Sequence, residues 1–124
     1  MKVRISGNSI RFRLKQSEVK RFAQTGEIKE ETAFGVAATD KLSFILKEGI
    51  APQFEISFEA NTVTVKAPAI VCAEWTQTEL VGFEETIATG KGETIKILVE
   101  KDFKCLDGIG AEDEDAYPNP GLHC

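Results

Sequence analysis

Residues 8–25 read NSIRFRLKQSEVKRFAQT, and residues 61–78 read NTVTVKAPAIVCAEWTQT. Each stretch opens on an asparagine, alternates apolar side chains as a strand does, passes into a helical stripe and closes on Gln-Thr. At an offset of 53, Ile10 falls on Val63, Phe12 on Val65, Val19 on Cys72 and Phe22 on Trp75. The same offset carries residues 3–48 onto 56–101 without gaps, placing Ile28 on Val81, Phe34 on Ile87, Leu42 on Ile95, Phe44 on Ile97 and Leu46 on Val99. Asn8 and Asn61, Gln24 and Gln77, Thr25 and Thr78, and Glu31 and Glu84 are identical pairs. Apolar register is what a buried sheet face fixes. The pattern therefore predicts an internal duplication of a strand–strand–helix–strand–strand unit.

Working outward, Lys2–Ser6 and residues 9–15 alternate across Gly7-Asn8, a pair suited to a tight turn, and predict a hairpin. Ser17 as N-cap and Gly26 as C′ residue bracket a helix over about 18–25, docked through Val19, Phe22 and Ala23. Strands follow at Glu27–Phe34 and Lys41–Lys47, with Phe34 expected inward. The second half repeats this order. Its hairpin spans Gln53–Glu59 and Thr62–Ala67, its helix starts at Pro68 and reaches about Thr78, and its closing hairpin runs Leu80–Thr89 to Glu93–Glu100. Ile45 and Leu98 coincide under the offset and point away from the face used by Phe44 and Ile97. A strand apolar on both faces is usually covered on both, so either the sheet curls over them or they form the face of a homodimer. The expected fold is α+β: about eight mostly antiparallel strands in a curved sheet, with two helices and pseudo-twofold symmetry.

The length suits one domain with its own core over residues 1–104, followed by an acidic tail over 105–124. All 15 lysines and arginines lie at or before Lys104, together with 15 of the 20 acids. Residues 1–104 are therefore neutral, and the net charge of −5 belongs to the tail. A neutral body with an acidic tail argues against nucleic acid as partner, since that needs a basic face. No apolar run approaches the roughly 18 residues of a membrane span, and the alternating first residues are a strand rather than a signal peptide. The expected location is the cytoplasm, where Cys72, Cys105 and Cys124 are thiols or metal ligands before they are disulfides.

The segments KVRISGNSIRFRL (2–14), VGFE (81–84), ILVEKDFKCL (97–106) and DAYPNP (115–120) resemble a family of small bacterial proteins catalogued only as a domain of unknown function. The resemblance spans the whole chain. It implies a bacterial cytoplasmic protein and brings no activity with it.

Two groups of residues are candidate sites. In the tail, Cys105, His123 and Cys124, with Asp102 or Asp107 nearby, supply thiolates and an imidazole suited to zinc or copper(I). No Cys-x-x-Cys or His-x-x-x-His spacing supports them. The alternatives are a packed tail, anchored by Phe103, Leu106, Ile109 and Tyr117, or a Cys105–Cys124 bridge. On the first hairpin, Lys2, Arg4, Arg11, Arg13 and Lys15 share one face. Arg4, Arg11 and Arg13 can grip a phosphate ester or other anion through paired donors. The competing account is charge complementarity with Glu55 and Glu59 of the second hairpin, or plain solvated surface.

Duplicated sheets that curl into a tunnel lined by arginine and glutamate resemble triphosphate tunnel metalloenzymes. Their Glu-x-Glu-x-Lys signature is replaced here by Lys2-Val3-Arg4-Ile5-Ser6, so the metal-binding carboxylates are missing, although Arg11, Arg13 and Glu84-Glu85 match other tunnel positions. His123 is the only histidine, so Ser-His-Asp and Cys-His catalysis have little basis. Cys72 and Trp75, matching Val19 and Phe22, read as core residues. The sequence thus points to a non-enzymatic binding protein, through either the tail or the basic hairpin.

Overall fold

The computed structural model describes residues 1–103 and 116–117. The chain runs β1 (Lys2–Ser6), β2 (Ser9–Leu14), α1 (Gln16–Thr25), β3 (Glu27–Ala33), β4 (Lys41–Gly49), β5 (Glu55–Glu59), β6 (Thr62–Pro68), α2 (Ala69–Gln77), β7 (Gly82–Gly90) and β8 (Glu93–Lys101). The class is α+β, with the order of elements that the sequence predicts.

The eight strands form two four-stranded sheets rather than one curved sheet, in the orders β1-β2-β8-β7 and β3-β4-β6-β5. Each sheet therefore joins the first hairpin of one half to the last hairpin of the other. The four hairpin pairings are antiparallel, and the two central pairings, β2 with β8 and β4 with β6, are parallel. Neither half completes a sheet alone.

Registers repeat between the halves. Lys2 faces Arg13 where Glu55 faces Lys66, and Ser9 lies beside Lys96 where Thr62 lies beside Ser43. Both correspondences obey the offset of 53. The identical residues make matching bonds: the Asn8 carbonyl accepts the Lys96 N–H at 3.0 Å, and the Asn61 carbonyl accepts the Ser43 N–H at 3.0 Å. At the helix ends, Thr25 Oγ1 donates to the Arg21 carbonyl at 2.9 Å, and Thr78 Oγ1 to the Glu74 carbonyl at 2.6 Å. Such i−4 bonds keep a hydroxyl satisfied within its own helix.

The offset fails in one strand. Glu27 faces Lys47, but Glu100, the counterpart of Lys47, faces Gly82. The offset in β7 is thus 55, and Ile28 corresponds to Phe83 rather than Val81. Ile28 is buried and Phe83 packs on the core, whereas Val81 and Phe34 are exposed. The physical cause lies at the helix ends. Gly26 takes a left-handed conformation (φ 76°) that turns the chain straight into β3, while Thr78 leaves α2 extended and four residues pass before β7. Identity of Glu31 and Glu84 is therefore not structural equivalence.

Alternate residues of each strand point into one core. Phe12, Leu14, Leu46, Val65, Trp75, Ile97 and Val99 are fully buried there. Phe12 meets Phe44 edge-on between the sheets at 6.3 Å, and Phe22 meets Trp75 between the helices at 6.0 Å. Cys72 is core, as expected: its Sγ contacts the Ala67 carbonyl, and burial, helped by Glu48, pushes its thiol up to about 11. Helix α1 begins before the expected Ser17 cap, because the Glu18 carboxylate reaches back to the Lys15 N–H at 2.9 Å.

Ile45 and Leu98 are half-buried on the outer faces of different sheets, so no single sheet face bears both. Phe103 and Tyr117, expected as tail anchors, are exposed. No helix among the described residues is long and apolar enough to cross a membrane.

Candidate functional site

Strand alternation sends Ile10, Phe12 and Leu14 inward and leaves Ser9, Arg11 and Arg13 on the outer face of β2. Pairing then assembles rows across that face. One row reads Lys2, Arg13, Glu100, Gly82, and the next reads Arg4, Arg11, Leu98, Glu84. The third reads Ser6, Ser9, Lys96, Thr86. The structure thus brings together all three predicted arginines and adds Lys96, which lies far away in sequence.

Two consecutive rows place like charges directly opposite, Lys2 against Arg13 and Arg4 against Arg11. Such pairs are destabilising by a few tenths of a kcal/mol to about 1 kcal/mol in an antiparallel ladder. Carboxylates offset part of this. Glu100 Oε1 lies 2.9 Å from Arg11 Nε and accepts from Arg13 Nε at 3.2 Å. Lys2 Nζ lies 2.9 Å from Asp102 Oδ2, and its hydrogen bond holds the Asp102 carboxyl below the usual range against a small burial effect. Glu84 Oε2 lies 3.5 Å from Lys96 Nζ.

A depression of about 220 Å³ opens on this face, lined by Arg4, Ser6, Ser9, Arg11, Lys96 and Leu98 among others. A second, of about 190 Å³, adjoins it through Arg4 and Arg11 and extends to Lys2 and Arg13. The first combines three cations, two hydroxyls and one apolar wall. Ser9 Oγ donates to the Ser6 carbonyl at 2.9 Å and keeps its oxygen lone pairs as acceptors.

Residues 1–121 match the model of the Family of unknown function (DUF7009). The chain belongs to that family. No curated protein and no solved structure matches it. Membership in DUF7009 supports the resemblance seen in the sequence and assigns no chemistry, so the reading of the site rests on its geometry.

The other expected features fall elsewhere. Cys105, His123 and Cys124, the zinc or copper ligands expected from the sequence, lie outside the described residues, as does Asp107. Among the described residues, no cluster of three or more His, Cys, Asp or Glu side chains is arranged to hold a metal ion. A tunnel requires arginines directed inward, yet Arg11 and Arg13 are on the outside and the space between the sheets is filled by apolar side chains. Glu84 is likewise on the outer face, and the Glu85 side chain is exposed and accepts from the Thr86 N–H.

Sequence reading missed Lys96, Glu84, Glu100 and Leu98 as members of this face. Nothing local marks them. They join the hairpin only through the parallel β2–β8 pairing, which spans the whole chain.

Proposed function

We propose that this protein is a non-enzymatic binding protein whose site is the outer face of β1, β2 and β8, and whose ligand is a small anion held by Arg4, Arg11 and Lys96. The observation that carries the reading is the pair of directly opposed like charges, Arg4 with Arg11 and Lys2 with Arg13. The equivalent hairpin β5–β6 presents Glu55 with Lys66 and Ser57 with Thr64 instead. A fold that supports neutral or opposite pairs at these places, yet carries cations, keeps them at a cost that an anion would offset.

Titration calorimetry with inorganic phosphate tests this on the full chain. Binding that falls at least tenfold in Arg11→Ala, with an unchanged melting temperature in the absence of phosphate, supports the site. Equal binding by wild type and Arg11→Ala refutes it. A bacterial cytoplasmic location, which the resemblance seen in the sequence implies, is proposed alongside it. Binding of zinc or copper by Cys105, His123 and Cys124 is a separate proposal, decided by elemental analysis of untagged protein. Self-association is a third, decided by a sizing column.

A further inference from the structure

We infer that this protein self-assembles by strand addition, with β1 of one copy pairing antiparallel to β5 of the next. The backbone singles out these two strands. Among the described residues, β1, β3, β5 and β7 each lie at a sheet edge. The Asn8 and Leu14 carbonyls accept from Lys96 and Asp102, so the backbone groups of Asn8, Ile10, Phe12 and Leu14 face β8 and those of Ser9, Arg11 and Arg13 face β1. Their partners Ser6, Arg4 and Lys2 then carry the ladder to β2, and the N–H and C=O groups of Val3 and Ile5 point out from the edge. By the same alternation, the Asn61 carbonyl accepts from Ser43 and faces β4, which leaves outward backbone groups on Ile56 and Phe58 of β5. On β3 and β7 the outward groups belong instead to residues such as Glu31 and Glu84, whose side chains lie on the outer faces. Directly opposed residues of an antiparallel pair share a face. An added β1 or β5 therefore continues the apolar inner face of β1, and an added β3 or β7 does not.

Charge decides between those two. Centred on itself, β1 sets Arg4 opposite Arg4, and β5 sets Glu55 opposite Glu59, both unfavourable. Centred on β5, β1 sets Lys2 opposite Glu59, Val3 opposite Phe58, Arg4 opposite Ser57 and Ile5 opposite Ile56. Lys2 Nζ already lies 2.9 Å from Asp102, but its side chain is 70 % exposed and an ammonium has three donors. Short, charged edge strands guard sheets against pairing with other chains. Here the ionised side chains of each edge carry one sign, so the guard acts between like edges and not between unlike ones. The apolar side chains fit as well. Ile5 and Phe58 are 60 % and 67 % exposed at the rims of an otherwise buried face. Beside β1 lies a groove of about 310 Å³ lined by Val3, Ile5, Glu30, Thr32 and Phe44. Opposite Val3, Phe58 of the next copy points to the same face and enters this groove. The contact joins two different edges, so assembly closes into a ring or continues in a row.

Sedimentation velocity of the full-length chain, over a dilution series reaching millimolar protein, tests this. Self-association that grows with concentration is expected. Ile5→Pro removes an outward N–H and leaves the ladder to β2 intact, a place where an edge strand accepts proline. It is expected to keep the fold, read by circular dichroism, and to weaken association at least tenfold. Lys2→Glu and Glu59→Lys, both on exposed side chains, are each expected to weaken association several-fold. The double variant is expected to restore it, because the opposed charges reverse together. Should Ile5→Pro fail to fold, the charge reversals decide alone. A monomer at every concentration overturns the inference. So does association that the single reversals leave unchanged, or that the double variant fails to restore.

Discussion

On the outer face of the first sheet, Arg4 opposes Arg11; at the same place on the second, Ser57 opposes Thr64. The first face presents Lys2, Arg4, Arg11, Arg13 and Lys96 against Glu84 and Glu100. The second balances Lys29, Lys41, Lys47 and Lys66 against Glu27, Glu31, Glu55 and Glu59. The frame beneath is shared, down to the asparagine and threonine bonds that tie each half. The difference teaches that backbone pairing and core alternation do not require the arginines. What they supply is surface chemistry, present on one sheet only.

The edges where the sheets meet differ too. At one seam the Met1 ammonium bonds Glu18, and also Glu30 at 2.9 Å. At the other, the counterpart position is Phe54, whose ring lies 5.7 Å from Phe83, which in turn stacks edge-on with Trp75 at 5.5 Å. One seam is closed by charge, the other by aromatic packing.

The largest expected effect tests the shared frame. Phe12→Ala and Trp75→Ala, both fully buried, should each cost about 3–5 kcal/mol in urea unfolding. A loss under about 1 kcal/mol for either would mean that the core is not continuous across the two sheets and helices.

Next comes transplantation of one face onto the other. The double change Arg4→Ser with Arg11→Thr copies the second sheet onto the first. It should abolish phosphate binding, at least tenfold, and leave stability unchanged or raised by up to about 1 kcal/mol as the opposed charges go. A clear drop in melting temperature would assign the arginines a structural role and erase the contrast between the faces.

A smaller effect separates the seams by pH. Burial works to raise the Glu18 pKa, but bonds from the Met1 ammonium and the Lys15 N–H outweigh it and hold the carboxyl below its usual value. A lowered folded pKa gives stability that is present above the unfolded value near 4.5 and lost as pH falls through the folded one. The ammonium shifts the other way, with the two carboxylates outweighing burial; its contribution is present below 8.0 and is lost as pH rises through the raised value. Hydrogen exchange should therefore accelerate in β1 and β3 on acidification before it does in β5 and β7, and Glu18→Gln should remove the difference at a cost of about 1 kcal/mol. Uniform loosening of both seams would contradict the contrast.

The smallest effect concerns the helices. Cys72 occupies the place of Val19, and Cys72→Val should change stability by less than about 1.5 kcal/mol. With its thiol raised to about 11, Cys72 should stay unalkylated at pH 8 until the protein is unfolded, as read by peptide mass mapping. Rapid native labelling would show that α2 is less firmly docked than α1.

Alternation and turn residues determined the strands, helices and inward side chains, because a one-residue slip would expose Phe12, Phe44 and Ile97 together. They also showed that Arg4, Arg11 and Arg13 share a face, since that follows from one hairpin whose partners are close in sequence. Residue identity misled where the backbone changed length: Glu31 and Glu84 match as letters, yet the extended exit from α2 shifts β7 by two positions. Which hairpin joins which was decided only in the folded chain. Parallel pairing of β2 with β8 joins residues 87 apart, and no local preference encodes a contact whose stabilisation comes from burying both strands against the same core. That pairing set Lys96, Leu98 and Glu100 beside the arginines and turned a basic hairpin into a bounded site.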